Sequence, residues 1–197
     1  YVKRYPQKGY GDSFRKWANS THSKPYNSFG NGSAMRTSPV AYVFDNLDEV
    51  LEKAEYFASF THNHIEGIKG AQATSAAIFL ARTGHSKEEI KTYITEIFDY
   101  NLNQSIDEIR VNYPCDISCQ GTVPQAIIAF LDSTDYEDAI RNAISIGGDS
   151  DTIACICGGI AEAYYGKLPQ SIYEFTLSKL DDELKEVALD FYHEFIF

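Results

Sequence analysis

The sequence lacks the features of a membrane protein or a nucleic-acid-binding protein. No run of apolar residues approaches the roughly 20 that are needed to span a bilayer. Lysine and arginine number only 17 against 28 aspartates and glutamates, and they form no basic cluster. The resulting net charge of −11 disfavours nonspecific binding to nucleic acid or to anionic lipid. The sequence also has no alternating strand pattern, so a β-fold is not expected.

Cysteine is scarce, with 4 residues in a chain of 197. Cys155 and Cys157 lie two apart in a predicted helix, so they point to different faces and cannot form a disulfide or a chelating pair. Cys115 and Cys119 lack the second pair and the histidines of a zinc site, which favours buried free thiols. The chain begins at Tyr1 rather than Met and shows no signal-peptide pattern. A cytoplasmic protein is therefore the expectation.

The composition is that of a folded domain. Apolar residues make up 44% of the chain, and 197 residues are enough for one domain with a real core, so residues 1–197 are predicted to be a single domain. Apolar residues recur at helical spacing, and the predicted class is all-α, a compact multi-helix bundle. Helices are predicted from residue 45 onward, over 65–82, from the capping box at Ser86, from Ser105, over 122–131 with Pro124 in the first turn, over about 135–146, and as one last helix after Pro169.

The most informative stretch is residues 147–152, Gly-Gly-Asp-Ser-Asp-Thr. It leads into a run of small residues that predicts a buried helix ending at Gly166. Asp149 and Thr152 are three apart and can share a helix face, with Asp151 beside them. Their oxygens suit Mg²⁺, Mn²⁺ or Ca²⁺. Aspartate is also a common helix cap, so the pattern alone leaves metal binding and capping as alternatives.

A second stretch, residues 30–36, reads Gly-Asn-Gly-Ser-Ala-Met-Arg. It predicts a loop, because glycines flank Asn31 and all three residues tolerate left-handed backbone angles. Such a loop can turn backbone N–H groups toward an anion, although an ordinary turn is the default interpretation. Arg36 could neutralise a phosphate or pair with a core carboxylate, and the structural pairing is slightly favoured.

These stretches resemble two motifs of the ADP-ribosylglycohydrolase family, which includes the enzyme that reactivates dinitrogenase reductase. In that family an Asp-x-Asp-Thr group supplies ligands to a pair of Mg²⁺ or Mn²⁺ ions, which implies Asp149, Asp151 and Thr152 as metal ligands here. The glycine-rich motif lines the ADP-ribose pocket, and a Thr-His pair, matched by Thr61-His62, reaches the nucleotide. His64 has no match and is expected to cap a helix. The resemblance implies that the substrate-binding residues are Gly30, Asn31, Gly32, Ser33, Ala34, Met35 and His62.

The resemblance implies an all-α fold of the ADP-ribosylglycohydrolase type and a metal-dependent hydrolase. The enzyme would remove ADP-ribose from a modified side chain, or from a small ADP-ribosyl conjugate, by cleavage at ribose C1″. Membrane and nucleic acid are not expected as partners.

One departure from the family pattern keeps an alternative open. The family's opening Gly-Asp-x-x-Gly helix, with its glutamate, and its Thr-Asp-Asp-Thr motif do not occur in this sequence. The catalytic residue is therefore unknown, and half of the ligands of the two-ion site are missing. The chain is expected to be N-terminally incomplete and to associate with the missing segment or a second chain. The alternative function is a non-catalytic ADP-ribose-binding module, or an inactive fragment or degenerate member.

Overall fold

The computed structural model describes residues 2–166 and 168–196, and this part of the chain is all-α, as predicted. Within these ranges there are 12 helices and no sheet, and the one strand-like pairing is an isolated antiparallel bridge between Gly30 and Ser118. The helices are α1 (Asp12–Ala18), α2 (Gly32–Met35), α3 (Val40–Val43), α4 (Leu47–Ser59), α5 (Ile65–Arg82), α6 (Lys87–Phe98), α7 (Ile106–Asn112), α8 (Cys119–Leu131), α9 (Tyr136–Ser145), α10 (Ser150–Tyr165), α11 (Gln170–Leu177) and α12 (Asp182–Phe195).

Helix α5 lies at the centre of the bundle. It packs against α2, α3, α4, α6, α8 and α10, and its buried residues are mostly small. At Gly70 a Cβ atom would lie 2.5 Å from the Sγ atom of Cys119 in α8, so only glycine allows the two helices to approach this closely. Although α5 has 18 residues, neither it nor any other described helix has the length and apolarity that a membrane span requires.

Local sequence signals fix most of the helix ends. The predicted helix over 65–82 coincides with α5, and Ser86 and Ser105 form the capping boxes of α6 and α7 with the glutamates three residues later. Helix α10 ends at Gly166, whose φ of 71° is in the left-handed region that glycine adopts without strain. These predictions are confirmed.

The predicted start of α8 is wrong. The helix begins at Cys119 rather than near Thr122, because the Ser118 hydroxyl accepts the N–H of Gly121 and caps an earlier turn. Pro124 consequently lies in the second helical turn instead of the first. The loop that precedes α8 therefore ends at Ser118.

Two other stretches contain more helix than predicted. Residues 30–36 are not a continuous loop, since Gly32–Met35 forms the short helix α2. The region after Pro169 contains two helices instead of one, because the Asp181 side chain accepts the N–H of Leu184 and caps a separate helix α12. Neither α11 nor α12 contributes a fully buried residue, so the core lies within the preceding helices.

All four cysteines are free thiols, as expected, but they divide into two environments. Cys119 and Cys157 are buried in helices of the core. Cys115 is exposed, so the prediction that it is buried is wrong, because it lies on the loop between α7 and α8 rather than in a helix. Cys155 is exposed on α10.

Candidate active site

Asn31, the residue that precedes α2, joins the two sequence motifs. Its side-chain Nδ2 donates to Oδ2 of Asp149 at 2.6 Å and to Oγ1 of Thr122 at 3.0 Å. Its backbone N–H donates to the carbonyl of Ile117 at 2.8 Å. Asn31 is only 8% exposed, so these bonds hold its amide in one orientation. The starts of α2, α8 and α10 therefore meet at a single polar cluster.

The loop between α7 and α8 supports this cluster, and sequence reasoning missed its hydrogen bonds. The Thr122 hydroxyl, which accepts from Asn31, donates in turn to the Asp116 carbonyl at 3.1 Å. The Asp116 carboxylate accepts the N–H of Ser118 at 2.8 Å, and the Tyr113 hydroxyl donates to the Gly121 carbonyl at 3.0 Å.

The sequence signal for this loop is Tyr113-Pro114, because proline does not continue a helix, but this signal does not indicate that the loop supports the cluster. Burial raises the pKa of Tyr113 above its usual value, so its hydroxyl remains a donor near neutral pH. The loop thus fixes the Thr122 hydroxyl and, through it, the Asn31 amide.

The first turn of α10 carries the predicted metal ligands. Asp149 occupies the N-cap position but makes no capping hydrogen bond, whereas Asp135 caps α9 and Asp181 caps α12. The Asp151 Oδ1 atom accepts the N–H of Thr152 at 2.9 Å. Capping therefore does not account for Asp149, whose described partner is the amide of a different motif.

The three side chains fit part of an oxygen ligand set for a divalent ion. Among the described residues, Asp149 Oδ1 and Asp151 Oδ2 accept no hydrogen bond, and the Thr152 hydroxyl makes only a weak contact with Met35 Sδ at 3.9 Å. Two carboxylates and a hydroxyl are ligands that Mg²⁺ and Mn²⁺ prefer. Residues 2–166 and 168–196 contain no group of three or more His, Cys, Asp or Glu side chains that could hold a metal ion. The assignment of Asp149, Asp151 and Thr152 as metal ligands therefore stays a prediction.

His62 is a neutral imidazole beside the glycine-rich motif. The Thr61 hydroxyl accepts from Arg36 Nη2 at 2.7 Å and is hydrogen-bonded to His62 Nδ1, also 2.7 Å away. The His62 Nε2 atom is the one that a Cβ at Gly32 would approach to 3.6 Å. Burial, followed by the charge of Arg36, lowers the pKa of His62 from 6.5 to about 4.

Arg36 of the glycine-rich motif and His64, which lies outside both motifs, have structural contacts. Arg36 pairs with no carboxylate in the part of the chain that the structure describes; it donates to Thr61 and, at 3.4 Å, to the Ala58 carbonyl. The predicted acidic partner is therefore wrong, because helix-end carbonyls and a hydroxyl satisfy the guanidinium instead. His64 accepts the N–H of Glu66 at 3.1 Å and caps α5, which confirms its expected role.

The remaining residues of the glycine-rich motif differ in exposure. Ser33 and Ala34 are 1% and 0% exposed, and the Ser33 hydroxyl donates to the Gly67 carbonyl at 2.7 Å, which fastens α2 to α5. Met35 is 42% exposed and its carbonyl accepts from Cys155 on α10 at 3.5 Å. The middle residues of the motif, Ser33 and Ala34, are therefore buried, whereas the Met35 side chain is exposed and its carbonyl contacts α10.

An apolar cleft of about 420 Å³ lies next to the motif. Its lining includes Ser33, Arg36 and Thr61 together with Phe14 and Trp17, whose rings stack at 5.7 Å. The cleft is in the size range of small-molecule sites. Asp149 and Asp151 are not among its lining residues, so the cleft is separate from the acidic pair.

Comparisons with known proteins agree with the motifs. An archaeal protein of Archaeoglobus fulgidus is 28% identical over 180 residues, covering 82% of this chain and 57% of that protein. Human ADP-ribosylhydrolase ARH3 is 28% identical over 191 residues, covering 73% of this chain and 53% of the relative. The ADP-ribosylarginine hydrolase Tri1 of Pseudomonas putida is 30% identical over 149 residues, covering 70% of this chain and 38% of that protein. The chain thus spans about half the length of the curated relatives that it matches first.

The fold and the sequence profile lead to the same family. A solved structure described as an ADP-ribosylglycohydrolase-related protein complex superposes with a TM-score of 0.71 at 24% identity, covering 96% of this chain and 70% of that chain, which establishes the shared fold. The profile of the ADP-ribosylglycohydrolase family matches residues 3–196. The chain therefore belongs to the ADP-ribosylglycohydrolase family.

Proposed function

We propose that this chain carries part of the active site of a metal-dependent ADP-ribosyl hydrolase, which removes ADP-ribose from a modified side chain or a small conjugate by cleavage at ribose C1″. The observation that carries the proposal is the hydrogen bond from Asn31 to Asp149. It brings the glycine-rich motif, the proposed ADP-ribose contact, against the proposed metal ligands. A carboxylate held in this way at a helix start, without capping that helix, is suited to binding a ligand.

The metal ligands would be Asp149, Asp151 and Thr152, which would hold Mg²⁺ or Mn²⁺. Bound there, divalent ions would supply the positive charge that a pyrophosphate and a developing oxocarbenium-like ribose need in a chain of net charge −11. Asn31 contributes by orienting Asp149, because its Nδ2 group donates to Asp149 Oδ2 and to Thr122 Oγ1, which leaves Asp149 Oδ1 without a bond from the described residues. The ordered amide therefore pre-organises the acid before substrate arrives.

His62 and the glycine-rich motif would contact the ADP-ribosyl group. The Nε2 atom of His62 faces the glycines of the motif, and the lowered pKa of His62 keeps the ring neutral at physiological pH. With its proton on Nε2, a neutral imidazole would donate to a ribose or phosphate oxygen without a change of protonation. The proposed contacts are Gly30, Asn31, Gly32, Ser33, Ala34, Met35 and His62.

The proposal is tested by ADP-ribose release. Arginine-linked and serine-linked ADP-ribosylated proteins are incubated with the chain and MgCl₂ or MnCl₂, and free ADP-ribose is measured. Asp149→Ala with Asp151→Ala should abolish release while the helical circular-dichroism signal is kept. In a matched control, Asp135 and Glu137, the corresponding acids at the start of α9, are replaced by alanine. This control should leave the release of ADP-ribose unchanged. Equal release by both double variants would contradict the proposal.

A non-catalytic ADP-ribose-binding module is the second candidate, because residues 2–166 and 168–196 contain no group of three or more His, Cys, Asp or Glu side chains that could hold a metal ion. Calorimetry with ADP-ribose separates the two candidates. Binding that is weakened by His62→Ala, without release from any conjugate, supports the module. Binding together with metal-dependent release supports the hydrolase.

A further inference from the structure

The apolar cleft next to the glycine-rich motif has aromatic walls. Seven of the 11 described residues that line it are apolar, and four of the seven are aromatic. The four are Phe14 and Trp17 of α1, and Phe57 and Phe60 at the C-terminal end of α4. Phe57 and Phe60 are each 47% exposed, so a ligand in the cleft can contact their rings. A cleft of about 420 Å³ with such walls suits the planar apolar body of a small molecule.

The polar part of the lining contains one cation and, among the described residues, no carboxylate. Arg36 is the charged residue, although the chain as a whole has 28 aspartates and glutamates against 17 lysines and arginines. The other polar lining residues, Ser33, Thr37 and Thr61, are at most 4% exposed, and their hydroxyls already bond to protein groups. The cleft is therefore a local exception to the net charge of −11, and it favours an anionic ligand.

The Arg36 guanidinium keeps donors for such a ligand. All of its hydrogen bonds to described residues use Nη2, which donates to Thr61 Oγ1 at 2.7 Å and to the carbonyls of Ala58, at 3.4 Å, and Phe57, at 3.5 Å. The Nε and Nη1 groups donate to none of the described residues, and Arg36 is exposed. The packing around the guanidinium lowers the pKa of Arg36, because its charged form loses part of its hydration. A bound carboxylate would replace part of that hydration with charge-assisted hydrogen bonds.

Aromatic walls and a single guanidinium together select among ligands. A cation would be repelled by Arg36, and a neutral ring would displace water from the guanidinium without giving it a charged acceptor. An anion as small as acetate would leave the aromatic walls uncovered. One guanidinium balances one negative charge, so a carboxylate fits the cleft better than a doubly charged phosphate.

We propose that the apolar cleft binds a small aromatic carboxylate, whose ring lies between the aromatic residues of α1 and α4 and whose carboxylate binds Arg36. This site is separate from the proposed hydrolase site, because Asp149, Asp151 and His62 do not line the cleft. Helix α1 contributes no buried residue to the core. A ligand that contacts both Trp17 and α4 would therefore hold α1 against the rest of the bundle.

Tryptophan fluorescence tests the proposal, because Trp17 is the one tryptophan of the chain and lines the cleft. The emission is followed while phenylacetate is titrated into the protein at constant ionic strength. Acetate, phenethyl alcohol, phenethylamine and phenyl phosphate are titrated in the same way, to separate the contribution of the ring from that of the head group. Phenylacetate should change the emission in a saturable manner. It should bind about tenfold more tightly than acetate, phenethyl alcohol or phenethylamine, and more tightly than phenyl phosphate.

Variants assign the binding to the cleft. Arg36→Met should weaken the affinity for phenylacetate by about tenfold, whereas Arg141→Met, at an exposed site on α9, should leave it unchanged. Phe60→Glu and Phe60→Gln decide the same point if the loss of Arg36 unfolds the chain, because the two new side chains are similar in size and differ in charge. The glutamate variant should bind phenylacetate about fivefold more weakly than the glutamine variant, because it brings a negative charge into the lining.

A crystal soaked in para-bromophenylacetate locates the ligand. An anomalous bromine peak should lie between the aromatic rings of α1 and those of α4, with the carboxylate beside Arg36. The proposal is overturned if phenylacetate produces no saturable change, or if any comparison compound binds as tightly. It is also overturned if Arg36→Met and Arg141→Met, or the two Phe60 variants, bind phenylacetate alike, or if bromine is found only outside the cleft.

Discussion

The two ends of α8 show two uses of a polar side chain brought from another helix. At the C-terminal end, Lys87 of α6 donates to the carbonyls of Phe130, at 2.9 Å, Leu131, at 3.1 Å, and Ser133. The same ammonium lies 4.9 Å from the centroid of the Phe130 ring. The ammonium thus gives a charged donor to three carbonyls at and just after the helix end, where a helix leaves carbonyls without intrahelical partners. This end is closed, and its polar chemistry is structural.

At the N-terminal end, Asn31 also comes from another element and also bonds to more than one partner. Here, however, the network stops at Asp149, and Asp149 Oδ1 and Asp151 Oδ2 accept no bond from the described residues. The two ends of α8 therefore differ in that only the network at the N-terminal end reaches carboxylate oxygens without a hydrogen bond. Buried hydrogen bonds alone do not indicate function, and the proposed function rests instead on the free carboxylate oxygens at which this network ends.

The largest effect is expected at the closed end. Lys87→Met should lower the free energy of unfolding by about 3 kcal/mol, because several carbonyls lose a charged donor and the aromatic contact is lost. Urea denaturation measures this. Lys91→Met, one turn further along α6, is the control and should change stability by less than about 0.5 kcal/mol. A similar small decrease of the unfolding free energy in both variants would mean that the Lys87 contacts at the C-terminal end of α8 contribute little to stability.

A pH titration of stability tests the environment of His62 at the open end. Its pKa is about 4 in the folded chain against 6.5 ordinarily, so the unfolded chain binds more protons between these values. The contribution of His62 is therefore fully present above pH 6.5 and is lost as the pH falls toward 4. After an allowance for partial solvent screening, the loss should be about 2 kcal/mol.

Wild type and His62→Gln are compared by urea unfolding across this window, because carboxylates titrate in both proteins. His62→Gln should lack the additional loss of unfolding free energy that the wild type shows as the pH falls from 6.5 to about 4. His22→Gln, at an exposed site, serves as the control and should follow the wild-type curve. An unaltered pH dependence in His62→Gln would show that this ring is not held neutral by the fold.

The smallest effect on stability is expected at Asn31. Asn31→Ala removes the donor to Thr122 and Asp149, and it should cost about 1.5 kcal/mol in unfolding free energy. Its effect on ADP-ribose affinity should be larger than its effect on stability, whereas Lys87→Met should show the reverse ranking. Parallel urea and calorimetric titrations measure both quantities. Equal affinity in the Asn31 variant and the wild type would remove the functional distinction between the two ends.

The sequence predicted those parts of the fold that depend on local signals. The apolar periodicity and flanking residues defined α5, and the Ser-x-x-Glu pattern defined the starts of α6 and α7. The start of α8 was missed because Ser118 is followed by the small and polar residues 119–122, which lack a helical pattern.

The contacts that assemble the candidate site depend on distant residues, and the sequence alone could not predict them. Asn31 and Asp149 are 118 positions apart, and nothing in either motif specifies which oxygen accepts which proton. Arg36 illustrates the limit, since its charge predicted a carboxylate partner and the packing of α2 on the end of α4 supplied carbonyls instead. The resemblance to a family identified the motif residues, and the structure added Thr122, Asp116 and Tyr113 as their supports.

Manganese binding, followed by electron paramagnetic resonance, tests the central claim most directly. The loss of the free Mn²⁺ signal is titrated for wild type, for Asp149→Asn with Asp151→Asn, and for the α9 control in which Asp135 and Glu137 are replaced by Ala. We predict saturable binding by the wild type and the control, and a loss of more than about tenfold in affinity in the Asp149 and Asp151 variant. Identical titrations for all three proteins would contradict the claim that the first turn of α10 holds a divalent cation.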